Sequence, residues 1–397
     1  MEQSLFWEGL KFSVIAIGGI ALVAWWLFAS PVRGSVAQAR GVSAQTSQTF
    51  GLLIALGVFL FSVGGYWDAS EHVVTGIIPG GDDFLWPPHL MLYAGFLLSF
   101  IVAVAGLVAL AKPNLAAGIR DPRLWVRRSP YVGATVLAAG YGLLSVPGDA
   151  IWHELYGIDL TAWSPPHVFL LVASASTVIC AIGLLIQSRP QGQNRGGGLS
   201  LFILLLLAIM LNEAYLIGVL EWELKTVTGF VLDRPSWLYP VIAGSLAFFV
   251  TSLGRRLVPG PWTATTVALL YFAWRIGSSA FADIVSGAPP RLSLVFILGA
   301  VLLDIAAQRS RHQGIRQTMI EAAAFTAGFA VIALPTIQFV YLPYLVRFTA
   351  VDHVATILIG FIVCAVLQPV ALAVGVWLNG QQREEKRVGA LAPAMGD

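Results

Sequence analysis

Charged side chains are scarce in this chain: Asp, Glu, Lys and Arg make up 11% of the 397 residues, against 57% hydrophobic ones. A soluble protein carries roughly a quarter of its residues as charges, so a water-solvated globule is excluded and a bilayer is the expected solvent. Only two cysteines are present, Cys180 and Cys364. Both fall inside apolar runs, where they read as small hydrophobes rather than a disulfide, and they leave the redox compartment open. The short alternating segments of a membrane barrel are also missing, which leaves helices as the structures that satisfy their own backbone in lipid. Inner loops stay under about 20 residues, so no separate soluble domain is expected in 1–397.

The apolar runs are about 17 to 25 residues long, the length that crosses a hydrocarbon core of roughly 30 Å as helix. Eleven spans are expected, at 10–29, 49–66, 88–111, 130–146, 165–187, 199–220, 236–253, 263–281, 291–307, 322–341 and 353–378. The first segment follows Glu2 and lacks a basic leader region, so it reads as a true span and not a signal peptide. Basic residues accumulate in cytoplasmic loops. Seventeen of the 23 lie in alternate loops and the C-terminal tail, leaving Lys11, Lys225, Arg234, Arg275, Arg291 and Arg347 for the other side. This bias places the N-terminus outside and the C-terminus inside. The fold class is therefore all-α, a polytopic transmembrane bundle, with 379–397 expected as a disordered cytoplasmic tail.

Histidine is scarcer still, with six residues in all, and four of them sit in two copies of one pattern. The first copy, at 49–111, reads GGYWDASEHVVTG and then GGDDFLWPPHLMLYAG; the second, at 130–187, reads LLSVPGDAIWHELYG and then IDLTAWSPPHVFLL. Asp68 and His72, like Asp149 and His153, are four residues apart, which puts each pair on one helix face a turn apart. His89 and His167 follow Pro-Pro pairs that set the first turn of the next helix. Two His and one carboxylate per copy form an open transition-metal ligand set suited to copper, zinc or non-haem iron rather than calcium or magnesium. The spacing leaves open whether these six residues make two mononuclear sites or one dinuclear centre. Outer loops within 199–378 look like the same two-helix unit without its ligands, Arg291 standing in one His slot and His353 at the last span. Glu71, Glu154, Asp82, Asp83 and Asp159 add acidity at the same end, and Trp67, Trp86, Trp152 and Trp163 lie at the expected water interface.

The stretch GDAIWHELYGIDLTAWSPPHVFLL resembles the copper-binding segment of the C subunit of the particulate methane and ammonia monooxygenases. The likeness includes the Trp before the first His and the Ser-Pro step before the last. It implies Asp149, His153 and His167 as copper ligands, with Asp68, His72 and His89 their counterparts in the first copy. The family's subunit has one such motif and fewer spans, so this chain looks like a distant, motif-duplicated relative. The first copy has 16 residues between its two His, the second 13.

These observations lead to a transition-metal-binding membrane protein, a copper-dependent monooxygenase-like oxidoreductase or a subunit of one, acting on a small apolar substrate. Copper or zinc handling, and zinc-dependent hydrolysis with Glu71 or Glu154 as base, are the alternatives. The inner halves of the spans hold almost no ionisable residues besides Asp304 and Glu321, which disfavours an ion path through this chain alone. The expected partners are the lipid bilayer and other membrane subunits or a second copy, with no nucleic acid. The expected location is a prokaryotic plasma membrane, with the motifs facing the extracytoplasmic side.

Overall fold

The computed structural model describes residues 2–75, 85–156, 163–189, 197–219, 222, 235–288, 293–309, 314–337 and 348–391, with the side chains of 2–10, 12, 13, 16, 72–75, 153, 156 and 380–391 outside the description. Among these residues helix is the only regular secondary structure. The helices are α1 (Glu2–Phe28), α2 (Ala44–Thr75), α3 (Pro87–Ala116), α4 (Pro122–Arg128), α5 (Pro130–Tyr156), α6 (Pro165–Gln187), α7 (Gly198–Gly218), α8 (Leu238–Leu257), α9 (Thr263–Ser286), α10 (Ile297–Arg309), α11 (Ile315–Thr336) and α12 (Ala350–Leu391). Each expected span holds a helix, and the short α4 is additional. Eight of them (α2, α3, α5–α8, α11 and α12) are long and apolar enough to cross a membrane. Several boundaries differ from expectation, α2 reaching Thr75 rather than 66, α5 reaching Tyr156 rather than 146 and α11 starting at Ile315 rather than 322. α10 starts at Ile297 rather than near 291, and helical backbone continues to Leu391 into the stretch read as a disordered tail. Its REEKR run is charged but made of good helix formers, which polarity alone does not reveal.

Proline starts α3, α4, α5 and α6, where a missing N–H costs nothing and the fixed φ suits the first turn. Large apolar side chains face outward along the helices, among them Leu144, Val331, Val351 and Leu358, each more than half exposed. A protein in water would bury such residues; in a bilayer they meet acyl chains. The architecture is that of a helical membrane bundle.

Helices α2, α3, α5 and α6 close a ring: α2 packs on α3, α3 on α5, α5 on α6, and α6 back on α2. Their directions alternate, making an up-down-up-down four-helix bundle from the two motif-bearing hairpins. Helices α7–α12 form the rest of the core, joined to the ring through α6 on α7 and α2 on both α7 and α9. Glycine sets the closest approach within the first hairpin. A Cβ at Gly95 would lie 2.5 Å from the Gly57 carbonyl oxygen and 2.6 Å from the Phe61 nitrogen, and one at Gly64 would lie 2.7 Å from the Leu92 nitrogen. The backbones of α2 and α3 therefore touch, and the start of α3 is held against α2.

The end of the molecule away from the motifs is tied by polar contacts. Asn114 Oδ1 accepts from the Arg40 amide at 2.8 Å, Arg127 Nε donates to the Leu27 carbonyl at 2.8 Å, and Arg123 Nη1 donates to the Ser30 hydroxyl at 3.1 Å. Asp121 caps α4, and its hydrogen bonds to Arg123 hold its carboxyl below the usual carboxylate range. Asp304 is 1% exposed. It accepts from the Ala264 and Thr265 amides at 3.2 and 2.9 Å and from the Thr265 hydroxyl at 2.8 Å, capping α9. Arg255 spans Asp304 and Glu321 at 3.4 Å each, and Gln368 also donates to Glu321. Asp304→Ala removes the cap and leaves Arg255 short of a partner. It should cost about 2–4 kcal/mol, read as a lower thermal midpoint of detergent-purified protein.

Candidate metal centre

Each hairpin brings its carboxylate to the histidine of its own second helix. In the first, Asp68 projects from the last third of α2 and His89 from the first turn of α3, and His89 Nε2 lies 3.1 Å from Asp68 Oδ1. In the second, α5 and α6 place His167 Nε2 3.9 Å from Asp149 Oδ1. The side chains are 20–31% exposed, so both pairs sit at the rim of the bundle rather than in its dry centre. Helical backbone continues through His72 and His153, one turn beyond the aspartates, while their side chains lie outside the described residues. Asp82, Asp83, Asp159, Glu221, Glu223 and Arg291 also lie outside them. Among the described residues no group of three or more His, Cys, Asp and Glu is assembled.

The two copies hold their second histidine differently. Ser164, just before the Pro-Pro pair, lies with its hydroxyl 3.0 Å from His167 Nδ1. That contact engages Nδ1 and leaves Nε2 as the nitrogen turned toward Asp149, the way outer contacts commonly orient metal-binding histidines. The matching position in the first copy is Trp86, whose ring stands edge-on to His89 at 5.3 Å, while Tyr93 stacks on its other side at 5.8 Å. His89 is thus clamped by rings and His167 by a hydroxyl.

Ligands that share one ion at about 2.1 Å stand roughly 3–4 Å from each other, depending on the angle at the metal. The separations of 3.1 and 3.9 Å fall in that range. The donor set of carboxylate and imidazole suits copper, zinc or iron. Each copy thus brings two donors of the types these metals take to within 4 Å of each other.

The surroundings hold groups that spacing does not reveal. Tyr93, one turn below His89, lies with its ring stacked on the imidazole. Behind α2, Arg275 of α9 is fully buried, its guanidinium 4.6 Å over the Tyr66 ring and 3.3 Å from Asn212 Oδ1. Glu213 is also buried, beside the Ser62 hydroxyl and the Asn212 amide. Arg275 was expected among the outer-side basic residues; the structure puts it inside the protein instead. Its position within an apolar span was the available signal, because a charge there needs a partner. His353 packs edge-on to Phe348 at 4.7 Å, at the start of α12. Trp67 meets Phe281 at 5.6 Å and Trp163 meets Trp222 at 5.9 Å, both as packing contacts. Glu154 is exposed and Glu71 partly buried.

A cavity of about 780 Å³ lies between α1 and the α3, α5 and α6 face. Ile20, Phe100 and Phe169 line it, and Gly148 and Pro166, the neighbours of Asp149 and His167, form part of its wall. Its lining is almost wholly apolar, the Tyr141 hydroxyl being buried there without a hydrogen-bond partner among the described residues. No protein-family model matches the chain, and neither does any curated protein or solved structure.

Proposed function

We propose that the chain is a transition-metal-binding membrane protein, with copper as the metal and a monooxygenase-like oxidoreductase role, alone or as a subunit. The observation that carries the reading is the repeated pairing of Asp68 with His89 and Asp149 with His167 at one end of one bundle. Asp68, His72 and His89 would hold metal in the first copy, and Asp149, His153 and His167 in the second. Copper held there would supply one-electron chemistry toward dioxygen. The protein's own part is to orient the imidazoles through Ser164, Trp86 and Tyr93 and to bring an apolar substrate alongside through the cavity next to α1. At the opposite end Asp304 and Glu321 are both bonded to Arg255, which supports a resident site over an ion path.

In this reading the chain crosses a prokaryotic plasma membrane eleven times, N-terminus outside and C-terminus inside, with the motifs extracytoplasmic. The gathering of Arg40, Arg123, Arg127 and Arg255 at the other end supports it, since Asp68 lies roughly 36 Å along α2 from that end. Other membrane subunits or a second copy would be the partners. Metal analysis tests the function. Purified protein should retain copper near stoichiometry, and His89→Ala with His167→Ala should weaken retention about 100-fold or more. Metal-free native protein, or unchanged copper in a folded double variant, would sink the proposal.

A further inference from the structure

The corner where α4 meets the end of α1 and the 29–43 connection carries charge of one sign. Residues 29–43 and 111–130 hold seven basic side chains and a single acid, Asp121, which Arg123 engages at 2.7 Å. Arg127 gives its donors to neutral main-chain carbonyls, those of Leu27 and Ser30. The Arg40 amide donates to Asn114 Oδ1 at 2.8 Å, the Arg40 carbonyl accepts from Asn114 Nδ2 at 2.9 Å, and the Val42 amide donates to the Ser129 hydroxyl at 3.1 Å. The connection is thereby fixed beside Arg128. A Cβ at Gly41 would lie 3.4 Å from Arg128 Cγ and 3.8 Å from its Nε, so this side chain runs along the connection one residue from Arg40. Arg128 Nε is buried with no hydrogen-bond acceptor among the described residues, and neither Arg40 nor Arg128 has an ion-pair partner among them. A charge that only sets topology needs no more than contact with water. Arg128 is instead partly desolvated with no counter-charge in the protein, a cost that an outside anion offsets.

We propose that Arg40 and Arg128 take the phosphate of an anionic phospholipid from the adjoining leaflet, a site separate from the metal motifs. The level of α4 selects a lipid over a soluble anion. Trp25 and Trp26 at the end of α1 are 54% and 45% exposed, and the Arg123 guanidinium lies 5.7 Å over the Trp26 ring. Exposed tryptophans mark the depth at which headgroups begin, so the seven-residue α4 that carries both Arg123 and Arg128 lies where lipid phosphates lie. A guanidinium fork matches two phosphate oxygens at once, and two such forks suit a phosphodiester. The excess of positive charge favours an anionic headgroup over a zwitterionic one, whose ammonium it repels.

Phosphatidylglycerol is the probe, offered with an equal amount of phosphatidylcholine to the delipidated full-length chain in detergent, and the lipids kept are counted by native mass spectrometry. The native chain should keep phosphatidylglycerol in several-fold excess. Arg40→Gln with Arg128→Gln should bring the two lipids close to parity, and Arg40→Gln alone, at an exposed side chain, should remove part of the excess. Arg309→Gln with Arg316→Gln takes the same charge from two exposed positions elsewhere and should leave the excess unchanged. Equal retention of both lipids by the native chain, an unchanged excess in either folded Arg40 variant, or an equal loss in the Arg309 and Arg316 control would overturn the proposal. Phosphatidylglycerol should also raise the thermal midpoint of the native chain, and inorganic phosphate should not. An equal rise with inorganic phosphate would make the occupant a soluble anion and overturn the lipid.

Discussion

Gly64→Ala should weaken copper retention at the site proposed for the first copy, and Gly95→Ala should cost the protein much of its fold. At Gly95 the added methyl meets main-chain atoms of α2, the Gly57 carbonyl oxygen at 2.5 Å and the Phe61 nitrogen at 2.6 Å. Backbone cannot rotate aside as a side chain can, so the two helices must part along their tightest seam. Overpacking costs about 1–3 kcal/mol where side chains can yield, and here the upper end or more is expected, seen as a much lower thermal midpoint and reduced yield of monodisperse protein. Gly64 is one turn from Asp68, and its added methyl would meet the Leu92 nitrogen at 2.7 Å and the Pro88 carbonyl at 3.0 Å. Those atoms belong to the first turn of α3, the turn that carries His89. Pushing it away should lengthen the 3.1 Å approach of His89 to Asp68 and lower copper occupancy of the first copy about tenfold, for a distortion of about 1.4 kcal/mol. Gly18→Ala and Gly360→Ala, whose added methyls meet nothing within 4 Å, are the controls and should match the native protein. Equal behaviour of all four variants would refute the close-contact account.

Arg275→Ala should also destabilise the protein, through the polar group it leaves unsatisfied. The guanidinium is 0% exposed, with Asn212 and the Tyr66 ring against it. Removing the guanidinium strands the Asn212 carbonyl oxygen in the interior, which costs about 1–3 kcal/mol. Arg275→Lys should recover only part of this. A lysine keeps the charge but loses the flat surface that lies on Tyr66 and the fork that reaches Asn212. Thermal melting of the three proteins in one detergent checks the order native, Lys, Ala. Since Tyr66 is only two residues from Asp68, the alanine variant should also retain less copper. Melting points within error of each other would show that the cluster adds nothing to stability.

Hydropathy located the helices well because a bilayer imposes one length and one polarity on whatever crosses it. The approach of Asp68 to His89 and of Asp149 to His167 was legible in part, since a Pro-Pro start fixes where the first-turn histidine emerges. Neighbours were not legible. Nothing in the runs around 49–66 and 165–187 says that α6 returns to α2, because lipid-facing and protein-facing Leu, Val and Ile look alike in sequence. Their segregation shows only in packing, as with Gly51 of α2 seated against Leu185 of α6. The burial of Arg275 is hidden for a related reason: average composition separates loops from spans, and one buried cation does not shift an average. Tyr93 carried no signal either, since the second copy has Leu171 at the matching place.

The ring of α2, α3, α5 and α6 also sets a timetable for biosynthesis. Ribosomes deliver the first hairpin to the membrane before the second exists, yet the contact of Asp68 with His89 lies within that hairpin and needs no later helix. Each hairpin can thus enter lipid with its polar residues already matched, and two such preassembled halves can then meet sideways. A newly made chain avoids holding bare carboxylates in the bilayer while it waits for its other half.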